Sequence, residues 1–235
     1  MRFSTIRAIA DALWAAAGGR GRFGDPPDIE RAMTHALPLA VHRSPKLTTH
    51  DVNRLLVNLG CEQLPGEVER ALRGCVVADV GVGLVVVDGA DSEEEQRLTV
   101  AHETAHFVLH YLRPREQATA ALGPKIVPVL DRTRSATRAE LFSAALRDVP
   151  ITPFRHAMVR SPKPLSGRVL MMEAEADELA LEILVARDVL RAVLPATAKA
   201  VAERFCIPLW AADRLSRQRP VGRSHVGVTQ LFGID

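Results

Sequence analysis

The sequence predicts an α+β protein, mainly helical, with a small antiparallel sheet and a C-terminal helix-turn-helix-like segment. Three observations carry that expectation. Helical apolar spacing recurs through most of the chain. One region breaks it: Cys75-Val-Val-Ala-Asp-Val and Leu84-Val-Val-Val-Asp-Gly are β-branched runs flanking a Gly81-Val-Gly turn, which is a hairpin signal. Residues 198–217 then read as helix, tight turn, helix.

Residues 1–74 are expected to form a helical region packing on a core at 75–194. Within it, apolar spacing predicts a helix over 2–17, stopped by Gly18-Gly19, and Pro27 opens a short second helix. A third follows from Thr49 to Gly60, with Thr48 or Thr49 as its cap, and a short one around Glu67 to Arg73. After the hairpin, Asp91-Ser-Glu-Glu-Glu supplies a cap and first-turn acids. The helix they start should run from about Glu93 to Tyr111 and end before Pro114. Residues 114–166 are a Pro/Arg-rich insertion, read as a lid or partner-binding arm rather than core, with one helix at Thr137–Arg147. A helix from about Met171 to Leu194 ends at Pro195. Residues 195–220 form the helix-turn-helix-like segment and 221–235 a tail.

The most informative residues are His102-Glu-Thr-Ala-His106. On a helix, positions four apart share a face, so both imidazoles can reach one ion. Glu103 flanks that ion, where it can take a proton from water. This HExxH arrangement is that of zinc metallopeptidases. Val100, Phe107, Val108 and Tyr111 fall on a separate packing face.

A catalytic Zn2+ needs a third protein ligand and an open position. The acidic run Glu173-Ala-Glu-Ala-Asp177 is the candidate source. At about 100° per residue, Glu173, Asp177, Ala180 and Leu184 share a narrow arc. Glu175 joins Glu178 and Glu182 on the opposite, solvated side. Glu173 is therefore the expected ligand, with Glu175 second. Asp177 can accept the ring N–H of a ligating histidine and fix its tautomer. His110 and Tyr111 are candidates for a supporting or substrate-side role. His35, His42, His50, His156 and His225 have no partner at a ligand spacing and read as surface histidines.

Composition adds limits. The chain has 235 residues, 47% hydrophobic, 25% charged and 4% aromatic, with a net charge of +2. These are ordinary values for a soluble domain, and the charge alone does not indicate nucleic acid. Cys61, Cys75 and Cys206 form no CxxC pair, so buried thiols in a reducing compartment are expected. Asp11 interrupts the N-terminal apolar run, which reads as an amphipathic helix rather than a signal sequence. A cytoplasmic protein with no membrane span is expected.

Gln96-Arg-Leu-Thr-Val-Ala-His-Glu-Thr-Ala-His-Phe-Val-Leu-His and Met172-Glu-Ala-Glu-Ala-Asp-Glu-Leu-Ala-Leu-Glu-Ile-Leu-Val resemble the ImmA/IrrE-type zinc metallopeptidases of bacteria, phages and mobile elements. The resemblance covers residues 75–112 and 170–217. It implies a zincin-like core, a Zn2+ ion held by His102, His106 and Glu173, and Glu103 as general base. It also implies cytoplasmic proteolysis of a helix-turn-helix transcriptional repressor, a stress-linked form of transcription regulation. The chain departs from the pattern in its long insertion, in Leu98 and Leu179 where phenylalanine is usual, and in Val185-Ala-Arg at the motif's end.

The mechanism expected from these residues is attack of water on the scissile carbonyl, with Glu103 taking its proton and returning it to the leaving amine. The strand Leu84 to Asp88 is the candidate sheet edge for an extended substrate. The alternative is a metal-stabilised interaction protein of toxin–antitoxin type that binds a partner or DNA without cutting. DNA binding through Arg204, Arg214, Arg217 and Arg219 is the weakest expectation.

Overall fold

The computed structural model describes residues 3–58, 60, 68–160, 167–193 and 197–217. The helices are α1 (Phe3–Ala17), α2 (Ile29–Ala36), α3 (Thr49–Asn58), α4 (Glu93–His106), α5 (Arg113–Leu122), α6 (Val127–Leu130), α7 (Arg138–Leu146), α8 (Gly167–Leu184), α9 (Arg187–Val193), α10 (Ala198–Phe205) and α11 (Leu209–Arg217). The strands are β1 (Leu39–Ser44), β2 (Leu72–Asp79), β3 (Val82–Asp88) and β4 (Phe154–Val159). The α+β class holds, with helices packed about one four-stranded sheet of order β1-β3-β2-β4. The sheet is mixed rather than purely antiparallel. β1 runs parallel to β3, whereas β2 is antiparallel to β3 and β4.

Both faces of β2 and β3 are covered, which is why these strands read as continuous apolar runs. Val76, Ala78, Val85 and Val87 enter the main core with side chains of α1, α2, α4 and α8. Cys75, Val77 and Val86 enter a second core closed by Val52 and Leu56 of α3. Each valine so buried stabilises the fold by about 1.5–3 kcal/mol. The hairpin turns at Val80 and Gly81, with φ of 44° and 83°. Positive φ at both positions suits a right-twisted hairpin but strains valine. Asp79 accepts the Val80 N–H, and the Tyr111 hydroxyl accepts the Gly81 N–H at 2.6 Å.

Several expectations change here. β3 lies between β1 and β2, so Leu84–Asp88 is not an edge; among the described residues the edges are β1 and β4. Leu72 and Arg73 belong to β2 rather than to a short helix, and Glu67 lies outside the described residues. The stretch read as insertion supplies β4, which pairs with β2 and is therefore part of the sheet. All six β4 residues are half-buried, so no alternating pattern marks the strand. The rest of that stretch builds its own small core from Ala118, Ile126, Val129 and Leu130.

The HExxH helix does not end before Pro114. Phe107, Leu112 and Arg113 all keep helical dihedrals, and α4 runs through a π-helical segment, Phe107–Leu112, into α5. The Arg113 N–H bonds Val108 O, five residues back. Pro114 follows directly, so its missing N–H falls where the bonding register changes. The later helix is divided into α8 and α9 at Val185-Ala186. Its break is held from elsewhere in the chain. The Trp14 indole and the Arg20 guanidinium donate to Ile183 O at 3.3 and 2.8 Å, and Arg20 also donates to Glu182 O. These donors satisfy carbonyls that a helix end leaves open.

α10 and α11 pack on the main core through Val201, Phe205, Ala211, Ala212 and Leu215. Cys75 is buried, but Cys206, in the turn between them, is only half-buried. Cys61 and the expected tail at 221–235 lie outside the described residues. Among those described, no helix is long and apolar enough to cross a membrane.

Candidate metal centre

Ser92 caps α4 by accepting the Glu95 N–H, and Glu93, Glu94 and Glu95 occupy its positive end. The helix packs along α8, where Ala101 and Ala105 on one side and Ala176 and Ala180 on the other are all fully buried. Small side chains at these positions let the two helices approach closely. The hairpin also comes close. A Cβ on Gly74 would stand 2.4 Å from Thr99 Cγ2 and 3.4 Å from Glu103 Cγ. Glu103, fully buried, is thus wedged against β2.

The two HExxH imidazoles point their Nε2 atoms at each other across 3.0 Å. Glu173 Oε2 closes the triangle, 3.4 Å from His102 Nε2 and 3.6 Å from His106 Nε2. Donors about 2.0–2.1 Å from a tetrahedral zinc lie about 3.3–3.4 Å apart. Two imidazole nitrogens and one carboxylate oxygen at these separations fit such an ion.

The far ring nitrogens are also engaged. His102 Nδ1 lies 3.1 Å from Asp177 Oδ1, and His106 Nδ1 lies 3.0 Å from His110 Nδ1. Burial opposes charge on His102, yet the carboxylates of Asp177 and Glu173 lift it to about 9. Burial, with His106 nearby, pushes His110 down to about 4. A neutral His110 can therefore accept from His106 at pH 7. Burial would raise Glu173, but hydrogen bonds from His102, His106 and His156 hold it well below the usual carboxylate range.

His156 was not legible in the sequence. It sits on β4 opposite Val76 and bridges the two glutamates. Its Nδ1 is 3.0 Å from Glu103 Oε2 and its Nε2 is 2.9 Å from Glu173 Oε1. The ring stacks on His106 at 3.7 Å and 16°. His156 is therefore no surface histidine, whereas His35, His42 and His50 are exposed; His225 lies outside the described residues. Ligand atoms of His102, His106, His156 and Glu173 all lie within 4.8 Å of one another. Burial opposes charge on His156, but Glu103 and Glu173 on its two sides lift it to about 10. The same imidazoles keep Glu103 below its ordinary value despite full burial.

The remaining candidates fall around this cluster. Glu175 is half-buried, its Oε2 3.8 Å from His110 Nε2, so it supports the outer side rather than completing the triangle. Tyr111 latches the hairpin turn through its hydroxyl. A cavity of about 300 Å³ is lined by His110, Phe154 and Met172 together with Val129, Leu130 and Ile151. The cleft beside the centre is thus partly built by the insertion.

Residues 70–160 match the Peptidase_M78 family model, described as the IrrE N-terminal-like domain. None of the curated proteins compared with the chain matches it. The matched segment contains His102, Glu103, His106 and His156; Glu173 and Asp177 follow it on α8. Over residues 70–160 the chain is thus similar to the IrrE N-terminal-like domain, the relationship its motifs resemble.

Proposed function

We propose that the chain is a cytoplasmic zinc-dependent endopeptidase that cleaves a regulatory protein, with a helix-turn-helix transcriptional repressor as the substrate class the family resemblance suggests. The observation that carries this reading is the triangle of His102 Nε2, His106 Nε2 and Glu173 Oε2, closed to within 3.6 Å beside a fully buried Glu103. These three side chains would hold the ion. Bound there, zinc would supply Lewis-acid activation of water and of the scissile carbonyl. Asp177 and His110 hold the outer ring nitrogens and fix which nitrogen faces inward.

Glu103 acts as general base. Its Oε1 is buried with no hydrogen-bond partner, a state that calls for an occupant such as a reacting water. The carboxylate takes the proton at that oxygen and delivers it to the leaving amine. β4, the sheet edge nearest the site, can pair with an extended substrate backbone. The cavity past Phe154 and Met172 can take a substrate side chain.

The C-terminal arginines argue against a DNA role. Arg204 forks onto Asp25 at 2.6 and 2.9 Å, and Arg214 pairs with Asp177 at 2.9 Å. Arg217 pairs with Asp213 at 2.8 Å, and Arg219 lies outside the described residues.

The test takes the products of the reading frames flanking this chain's gene as candidate substrates, incubated with zinc-loaded wild type and Glu103→Gln. The expected result is equal zinc content, with cleavage slowed by about 10²–10⁴-fold in the variant. Undiminished cleavage in Glu103→Gln would overturn the mechanism. Tight association without cutting, unchanged by the substitution, would favour the metal-stabilised regulator instead.

A further inference from the structure

The ligand triangle and its base leave His156 without a task, although it is the residue that joins them. We propose that His156 is a positioning residue that selects which oxygen each of two carboxylates presents. One ring nitrogen holds Glu103 Oε2 and leaves Oε1 to receive the proton; the other holds Glu173 Oε1 and leaves Oε2 for the ion. The proposal rests on the metallopeptidase reading above.

Four observations support it. The two contacts are 3.0 and 2.9 Å and use both ring nitrogens. The oxygen left over on Glu103 is buried and unpartnered. The oxygen left over on Glu173 is the one that faces His102 and His106. Finally, the His156 ring cannot turn freely, because it is stacked on His106 and its strand is paired with β2. Phe154, two residues earlier on β4, stacks on His106 as well, at 6.2 Å and 20°.

The imidazole ring suits the task because its two nitrogens lie on opposite sides of one rigid plane, one against each carboxylate. Without it, neither carboxylate would be held at the oxygen that His156 now contacts. Either could also rotate and offer its oxygens interchangeably. Direct ligation by His156 would require it to release one of the two carboxylates it now holds.

The experiment compares His156→Ala, His156→Gln and His102→Ala with wild type. Zinc affinity is measured by chelator competition, and the visible absorption of the Co²⁺-loaded proteins reports coordination number. Thermal melting of the metal-free proteins checks folding. His156→Ala is expected to weaken zinc by about 10–100-fold, as loss of an outer partner does, while keeping the four-coordinate Co²⁺ band. Where cleavage is measured, kcat should fall more than KM rises. His156→Gln, which keeps an N–H donor and is the variant to use should alanine not fold, should recover part of the affinity.

Wild-type affinity in both His156 variants would overturn the proposal. So would loss of the four-coordinate band as complete as in His102→Ala, since His156 would then be a ligand. Unchanged affinity in His102→Ala would instead overturn the metal-centre reading beneath it.

Discussion

The α4–α8 pair and strand β4 bring side chains to the same cluster by different routes. On the helices the geometry is settled within each element. His102 and His106 are four residues apart, as are Glu173 and Asp177, and each pair faces inward because the helix repeats at that interval. On β4 nothing local decides. His156 reaches Glu103, 53 residues away in sequence, only because β4 pairs with β2 in the register that sets it opposite Val76. The helix pair should therefore govern whether an ion is held. The strand should govern how the carboxylates around it are oriented.

Three sets of substitutions would break or sharpen that division. His106→Ala should have the largest effect, removing one of the two inward-facing Nε2 atoms and weakening zinc by more than the roughly 10–100-fold typical of an outer partner; chelator competition measures it. Gly74→Ala probes the sheet side. A Cβ there meets Thr99 Cγ2 at 2.4 Å and the backbone oxygen of Val86 at 3.2 Å. Denaturant unfolding should show a loss of about 1–3 kcal/mol, the usual cost of overpacking. Cleavage should fall further than zinc affinity does, because Glu103 lies against the same glycine. A fall in zinc affinity as large as that of His106→Ala would erase the distinction between the two regions.

Asp177→Asn should weaken zinc by about 10–100-fold by loosening His102. Arg214→Ala, which removes only the 2.9 Å partner of Asp177, should change it least. Its guanidinium is 39% exposed, and pairs as open as this contribute about 0–1 kcal/mol. The order His106, Asp177, Arg214 measures how far influence spreads outward along one chain of contacts. It also ties α11 to the centre through Arg214, so these substitutions test a packing role for the C-terminal helices.

What could be read from the sequence follows the same division. The HExxH face, the inward arc of Glu173 and Asp177, and the β2–β3 hairpin all depend on periodicities of 3.6 or 2 within a single segment. Each was visible in the residues alone. His156 was not, because β4 is uniformly half-buried and His156 pairs with Val76, 80 residues away in sequence. β1 gave no signal either, since only Leu39 of its six residues is buried. The continuation of the HExxH helix past Pro114 depends on a shift in hydrogen-bond register that composition does not encode. The division of α8 from α9 depends on Trp14 and Arg20, more than 160 residues away. Local pattern reveals the elements and the groups they carry, whereas contacts supplied from a distant segment become visible only in the fold.

The most direct measurement is zinc K-edge X-ray absorption on the one-to-one zinc complex, compared with Glu173→Ala. The account predicts two imidazole nitrogens and one protein carboxylate oxygen at about 2.0–2.1 Å, with the carboxylate contribution lost in the variant. A first shell with three imidazoles, or one unchanged by Glu173→Ala, would contradict it.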